Sequence, residues 1–367
     1  MSKFKSLARR LLPGQAIEHL KRARDRSSVQ LLRALTASSF LRRVHFAFFS
    51  DAFDREARAV VVGHLRHVEN RQGADATNYF LRRAVHRLEK GLIMQPRKDV
   101  FALDYVDDAV VAYECSRTTG SADEVCWAHD VLAAYFEATA SHPVIDAARQ
   151  RFERAGPPPV RCENVRQTDA ELVPFAAGDS APAISYEDFH SLAMQRRSVR
   201  WYQPRPVPRD LIDNAVLSAV QSPSACNRQP YRFMIFDEPD DIARVSELPM
   251  GVAGFNHNFP AIVAVVGQLR AYPHVRDRHV IYIDGALAAM SFMFALQTQG
   301  ISSCSINWPD IPEREAAAAR ELNLAADERI VMFISLGYAA GEGMIPFSQK
   351  LSLEQVRAYG RPESSSV

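Results

Sequence analysis

Residues 284–299, DGALAAMSFMFALQTQ, have no polar face. At 3.6 residues per turn their apolar side chains point in every direction, so a helix here has to be enclosed, either within one chain or at the centre of a dimer interface. Gly300 supplies the C-terminal stop. The run is not read as a membrane span, because the apolar stretch 286–296 is interrupted by Ser291 and closed by Gln297, short of the roughly 18 residues a span needs. At 367 residues the chain can form one large domain or two ordinary ones around such a helix.

The pattern on either side of Gly156-Pro157-Pro158-Pro159 differs. From about residue 15 to 154 apolar positions recur at three- and four-residue steps, as in Val60, Val61, Leu65 and Val68 or Tyr79, Phe80, Leu81, Val85 and Leu88, which predicts helices and almost no strand. Residues 156–184 are rich in prolines and small residues without a period and read as a linker. Beyond it, Ser185 with Asp188 three residues on predicts a helix starting near Tyr186, with Phe189, Leu192 and Ala193 on its apolar face. Pro208 opens a second helix carrying Leu211, Ile212, Ala215, Val216 and Ala219, ending before Pro223. Three apolar or β-branched runs, 231–236, 261–266 and 329–336, predict strands separated by helices. The expected organisation is a helical region over 1–155, a linker over 156–184, and an α+β or α/β sandwich over 185–360.

Composition narrows the class. With 47% hydrophobic and 24% charged residues the chain is globular, and no fixed-period repeat points to a solenoid or propeller. Forty-four Lys and Arg against 43 Asp and Glu leave no bulk attraction to polyanions. The first 50 residues, however, hold 11 basic and 2 acidic side chains. With no groove-reading or aromatic-interleaved motif beside them, a solvated arm is the plainer reading, nucleic acid is not expected as a partner, and peripheral contact with an anionic membrane is the alternative. The N-terminus lacks a signal-peptide h-region, which leads to a cytoplasmic expectation. Five widely spaced cysteines with no C-x-x-C read as reduced single thiols and not as a metal site.

Two segments carry chemistry. In Arg196-Arg197-Ser198-Val199-Arg200-Trp201-Tyr202, extended backbone would put Arg196, Ser198 and Arg200 on one face and Val199 and Trp201 on the other. Two guanidinium forks and a hydroxyl suit phosphate oxygens, although a solvated basic strand edge has the same composition. In Pro223-Ser224-Ala225-Cys226-Asn227-Arg228-Gln229-Pro230-Tyr231, Asn227 and Gln229 could offer amides to a planar heterocycle; alone, the segment is a helix-to-strand connection. No G-x-G-x-x-G follows a strand, and no P-loop or G-x-S-x-G occurs. His257 and His279 are assigned no role. In the helical region His86, Glu89 and Lys90 form a compact polar cluster that Gly91 could close; it reads first as a solvated helix end and otherwise as a cover for a neighbouring pocket.

Together the two segments resemble the nitroreductase-like flavoprotein family, whose pattern is R-R-S-x-R-x-[FY] followed by P-S-x-x-N-x-Q-P-[WY]-x-F. The resemblance continues through the apolar helix ending at Gly300, Leu336-Gly337-Tyr338 and Lys350. It implies an α+β three-layer sandwich with a mainly antiparallel sheet, forming a homodimer with FMN at the interface and using NADH or NADPH as transient donor to a small-molecule acceptor such as a nitro compound or quinone. Carried over by position, Arg196, Arg197, Ser198 and Arg200 would hold the FMN phosphate, ribityl chain and N1/O2 edge. Pro223, Ser224, Asn227 and Gln229 would approach from the partner subunit, Ser305, Ile306, Asn307 and Trp308 would pass the ring, and Lys350 would return to the phosphate. The chain departs from the pattern at Tyr231, Ala339 and Gln349, where the family usually has Trp, Pro and a basic residue. The His86 cluster resembles one in extended members associated with surface-polysaccharide loci. The reading from a different class is a non-catalytic dimeric scaffold that uses the basic N-terminal region for docking.

Overall fold

The computed structural model describes residues 29–69, 77–159, 171–178 and 182–360. Part of the expected linker and most of the basic first 50 residues lie outside the described residues. The chain separates into two compact units, Met1–Ala59 and Val60–Val367. A helical run over residues 29–37 is followed by helices α1 (Ser39–Phe48) and α2 (Asp54–Glu69), α1 capped by the Ser38 hydroxyl accepting from the Leu41 amide.

The second unit holds a helical layer and a sheet. In the helical layer α3 (Tyr79–Leu92), α4 (Val106–Thr119), α5 (Ala122–Ala138) and α6 (Pro143–Ala155) bury their periodic apolar faces together, with Leu81, Leu88, Tyr113, Leu132, Tyr135 and Ile145 fully enclosed. The starts of α3 and α5 are set locally: Asn78 accepts from the Leu81 amide at 3.0 Å and Ser121 from the Glu124 amide at 3.3 Å. Gly91 does not close α3, which runs to Leu92; a Cβ there would lie 2.1 Å from the Phe101 ring, so glycine serves close packing. Cys126 is disulfide-bonded, which corrects the expectation that every cysteine is a separate thiol; Cys115, Cys226 and Cys304 are free.

The second half of the chain is an α+β sandwich. Helix α7 (Tyr186–Gln195) begins where the Ser185–Asp188 pair predicts, with the Ser185 hydroxyl accepting from the Asp188 amide at 3.0 Å. Helix α8 (Arg209–Ala219) follows Pro208. Four antiparallel strands, β1 (Tyr231–Phe236), β2 (Ala261–Gln268), β3 (Ser302–Asn307) and β4 (Glu328–Gly337), lie in the order β1-β2-β4-β3. Helix α9 (Pro239–Val245) links β1 to β2, α10 (Val280–Thr298) leads into β3, α11 (Pro312–Glu321) joins β3 to β4, and α12 (Leu353–Val356) closes the described chain. Strand β2 is buried on both faces: Val263 and Val265 pack with Ala288, Phe292 and Leu296 of α10, while Ile262 and Ala264 pack with Phe333, Leu322 and Trp308. This is a three-layer arrangement.

Helix α10 is longer than the apolar stretch suggested and is not enclosed on every side within one chain. Its inner residues Ile281, Ala288, Phe292 and Leu296 are fully buried, yet Ile283 and Leu287, one turn apart, are 57% and 43% exposed. By length and composition it could cross a bilayer, but its inner face is part of the core over β2 and β4. Gly300, at φ +74°, ends it as expected, with the Ile301 amide donating back to the Leu296 carbonyl at 3.0 Å. Strand β3 was not among the expected strands, because its polar sequence SSCSIN gives only Cys304 and Ile306 to the core.

Candidate active site

The 196–202 segment is extended and pinned at both ends. Ser198 bridges Ser303 in parallel, the Val199 amide donates to the Ser303 carbonyl at 3.1 Å, and Tyr202 bridges Ala339. The buried Tyr202 hydroxyl donates to the Val199 carbonyl at 2.8 Å, and Asn258 accepts from the Tyr202 amide at 2.8 Å. Val199 is buried; Trp201 instead lies at the surface against the His257 ring.

Arg196, Ser198 and Arg200 come together at Cys304. Burial pushes the Cys304 thiol up, while the Arg200 charge, a Ser198 hydrogen bond and the Arg196 charge pull it back down. Arg197 reaches the C-terminal segment, donating to the Phe347 carbonyl and, at 2.9 Å, to the Pro346 carbonyl. Among the described residues none of these three guanidiniums meets a carboxylate: Arg200 donates only to the Ser198 carbonyl at 3.4 Å, and Arg196 forms no ion pair. The adjacent Ser303 hydroxyl is buried without a hydrogen-bond partner. Uncompensated cations beside an orphaned hydroxyl fit a phosphate monoester better than a structural ion-pair network. Lys350 is exposed.

The 223–229 loop is strained. Cys226, Asn227 and Gln229 all have positive φ, at 54°, 50° and 51°, although none is glycine. What holds them is a set of local bonds. The Gln229 amide donates to the Ser224 hydroxyl at 3.0 Å, the Gln229 side chain donates to the Asn227 side chain at 3.1 Å, and the buried Asp284 accepts from the Ala225 amide at 3.1 Å. Asp284 also accepts from the Tyr272 hydroxyl at 2.5 Å, and burial raises its carboxyl above the usual range. Pro223 is exposed. No hydrogen bond joins this loop to Arg196, Arg197, Ser198 or Arg200 within one chain, among the described residues.

Strand alternation splits the third segment. Ser305 and Asn307 are exposed, whereas Ile306 and Trp308 face the core, Trp308 packing on Phe333 and donating its indole N–H to Glu315.

The helical layer adds residues that sequence reasoning passed over. Helix α3 packs on the strained loop. Arg82 donates through Nε and Nη2 to the Asn227 carbonyl at 3.1 and 3.0 Å and through Nη1 to the buried Glu124 carboxylate at 3.3 Å. Tyr79 donates to Gln268, whose amide donates to Glu328 at 2.9 Å, and Arg66 and Arg270 both hold Asp327, at 2.6 and 2.7 Å. Of the cluster flagged in this helix, Glu89 accepts from the Trp127 indole at 2.9 Å and lies 3.3 Å from His86, while Lys90 is exposed.

The model of the nitroreductase family matches residues 193–254 and 250–338. An Archaeoglobus fulgidus protein described as an NADH dehydrogenase/NAD(P)H nitroreductase is 30% identical over 161 residues, covering 42% of this chain and 88% of that protein. Iodotyrosine deiodinase 1 of Sus scrofa is 23% identical over 198 residues, covering 46% of this chain and 68% of its own. Among solved structures, an FMN-dependent nitroreductase from Clostridium difficile has 19% identity and a TM-score of 0.41, covering 46% of this chain and 98% of that one.

Proposed function

The chain belongs to the nitroreductase family, and from that premise we propose that it is an FMN-dependent oxidoreductase passing hydride from NADH or NADPH to a small electron-poor acceptor. The observation that carries the reading is the group of three guanidiniums, Arg196, Arg197 and Arg200, left without carboxylate partners beside Ser198 and the orphaned Ser303 hydroxyl. FMN, when bound, supplies hydride transfer between nicotinamide and acceptor. Arg196 and Ser198 would hold the phosphate, and Arg197 would tie that site to the C-terminal segment. Arg200 would favour the more negative reduced state of the ring. Ser224, Asn227 and Gln229 would meet the cofactor of a second copy in a homodimer. The exposed apolar stripe of α10, Ile283 and Leu287, supports that pairing, because a second copy would enclose it.

The test is direct. Purified protein should take up one FMN per chain, be bleached anaerobically by NADH or NADPH, and be reoxidised by an acceptor from a panel of nitroaromatics, quinones, halotyrosines and sugar nucleotides. Arg196→Ala should remove a charge-assisted bond worth about 1.5–3 kcal/mol, weakening FMN roughly 10- to 150-fold in a fluorescence titration. A protein that takes up no FMN and turns over no acceptor would leave the dimeric-scaffold reading in its place.

A further inference from the structure

Arg82 fixes α3 over the strained loop, and the same helix carries two further arginines. Arg83 follows it directly, and Arg87 lies one turn on, so that the two share a helix face. Arg87 stacks 3.7 Å over the Tyr105 ring, with only the exposed Asp104 as a carboxylate partner at 3.4 Å. From the loop side comes Arg228, 5% exposed, stacked 4.8 Å over the Tyr272 ring and donating to the Ala225 carbonyl at 3.0 Å. Its buried Nε has no hydrogen-bond partner.

Arg83 is the least compensated of the three. Half-buried, it forms no hydrogen bond or ion pair among the described residues. Burial, then the charges of Arg228 and Arg87, hold its pKa below the usual arginine value, and the opposing influences come from Cys226 and Asp277. The contrast with the rest of the molecule is instructive. Arg82 meets Glu124, Arg270 meets Asp327 and Arg329 meets Glu315, each within 3.3 Å. Other half-buried guanidiniums that lack a carboxylate, such as Arg117 and Arg314, donate to backbone carbonyls instead, whereas Arg83 has neither kind of partner among the described residues. Arg83 and Arg228 without a carboxylate partner and Arg87 with only the exposed Asp104, next to Cys226 in the loop expected to approach the flavin, are arranged for an anion that arrives from outside.

We propose that Arg83, Arg87 and Arg228 form a binding site for the carboxylate or phosphate group of the acceptor, so that the helical layer selects anionic acceptors. The site rests on the flavin reading only for its place beside the reacting centre. Guanidinium forks bind either anion bidentately, so the geometry defines their shared chemistry.

The experiment uses the FMN-loaded protein and three matched acceptors, 4-nitrobenzoate, 4-nitrophenyl phosphate and the neutral methyl 4-nitrobenzoate. The readout is the ratio of kcat/KM for each anion to that for the ester. In Arg83→Gln and Arg87→Gln the ratio should fall at least tenfold for one anion, through a rise in KM, with Arg83→Lys recovering part of it. The anion showing the larger fall identifies the group bound. A ratio within twofold of wild type for both anions in both variants overturns the proposal. If the protein takes up no FMN, the flavin reading fails separately. The anion site is then read by calorimetric titration with sulfate in a background in which Arg196, Arg197 and Arg200 are all replaced by Gln, which removes the other cation cluster. Sulfate binding lost on adding Arg83→Gln supports the site, and binding left unchanged, or none in that background before the addition, overturns it.

Discussion

Removing Arg82 tests how the helical layer and the strained loop depend on one another. Its side chain is 15% exposed and that of Glu124 only 3%, so Arg82→Met strands a buried carboxylate as well as deleting both bonds to the Asn227 carbonyl. Breaking one side of a buried pair costs about 3–5 kcal/mol, most of it the penalty on the charge left behind. For a unit of this size that lowers Tm by on the order of 10 °C. Glu124→Gln removes the charge but keeps an acceptor for the Asn78 amide, which Glu124 now holds at 3.1 Å, and should cost about 1–3 kcal/mol. The double variant has no stranded charge and should therefore be more stable than the sum of the single losses by about 1.5–3 kcal/mol. Urea denaturation of the four proteins measures that coupling. The loop gives a second readout: with its anchor gone, the free Cys226 thiol should react faster with a disulfide reagent, and a Cys226→Ser control separates it from Cys115 and Cys304. Additive losses within about 0.5 kcal/mol, together with unchanged Cys226 reactivity, would refute the reasoning.

Two further substitutions probe buried polar groups. The Tyr231 hydroxyl is buried without a partner, so Tyr231→Phe should leave stability unchanged or raise it by up to about 1 kcal/mol; a clear loss in urea denaturation would mean the hydroxyl is satisfied. Burial raises the Asp284 carboxyl, so its contribution is fully present below the ordinary aspartate value of about 3.9 and is lost as pH rises through the raised one. Asp284→Asn should flatten the stability profile in that window, and an unchanged slope from melts at successive pH values would sink the assignment.

Elements that carry their own local signals were legible. Ser185 and Asp188 mark the start of α7, Gly300 marks the end of α10, and runs of apolar or β-branched residues mark β1, β2 and β4 to within two residues at each end. Strand β3 was not, because its exposed Ser305 and Asn307 interrupt any apolar run and it becomes a strand by pairing with β4. In the same way, the exposed side of α10 cannot be read from a helix that is apolar all round, since periodicity distinguishes faces only when one of them is polar.

The part played by the helical layer was hidden for a different reason. Arg82, Arg83 and Arg87 sit on an amphipathic helix whose apolar face is obvious, and basic residues on the opposite face normally point to water. Sequence spacing could not show that this face meets the strained 223–229 loop about 140 residues later, where the Asn227 carbonyl takes both Arg82 donors. Nor could a local reading of that loop explain how three non-glycine residues tolerate positive φ in so short a span. The two puzzles have a common answer. The loop's conformation is maintained by Asp284 from below and Arg82 from the helical layer. The arginine stripe escapes being a solvated face because the loop it packs on brings Arg228 to it. Arg82, in the first turn of α3, thus fixes the shape of the expected flavin loop while Arg83 and Arg87 on the same helix set the charge around it, and substitutions in α3 should register first in the loop.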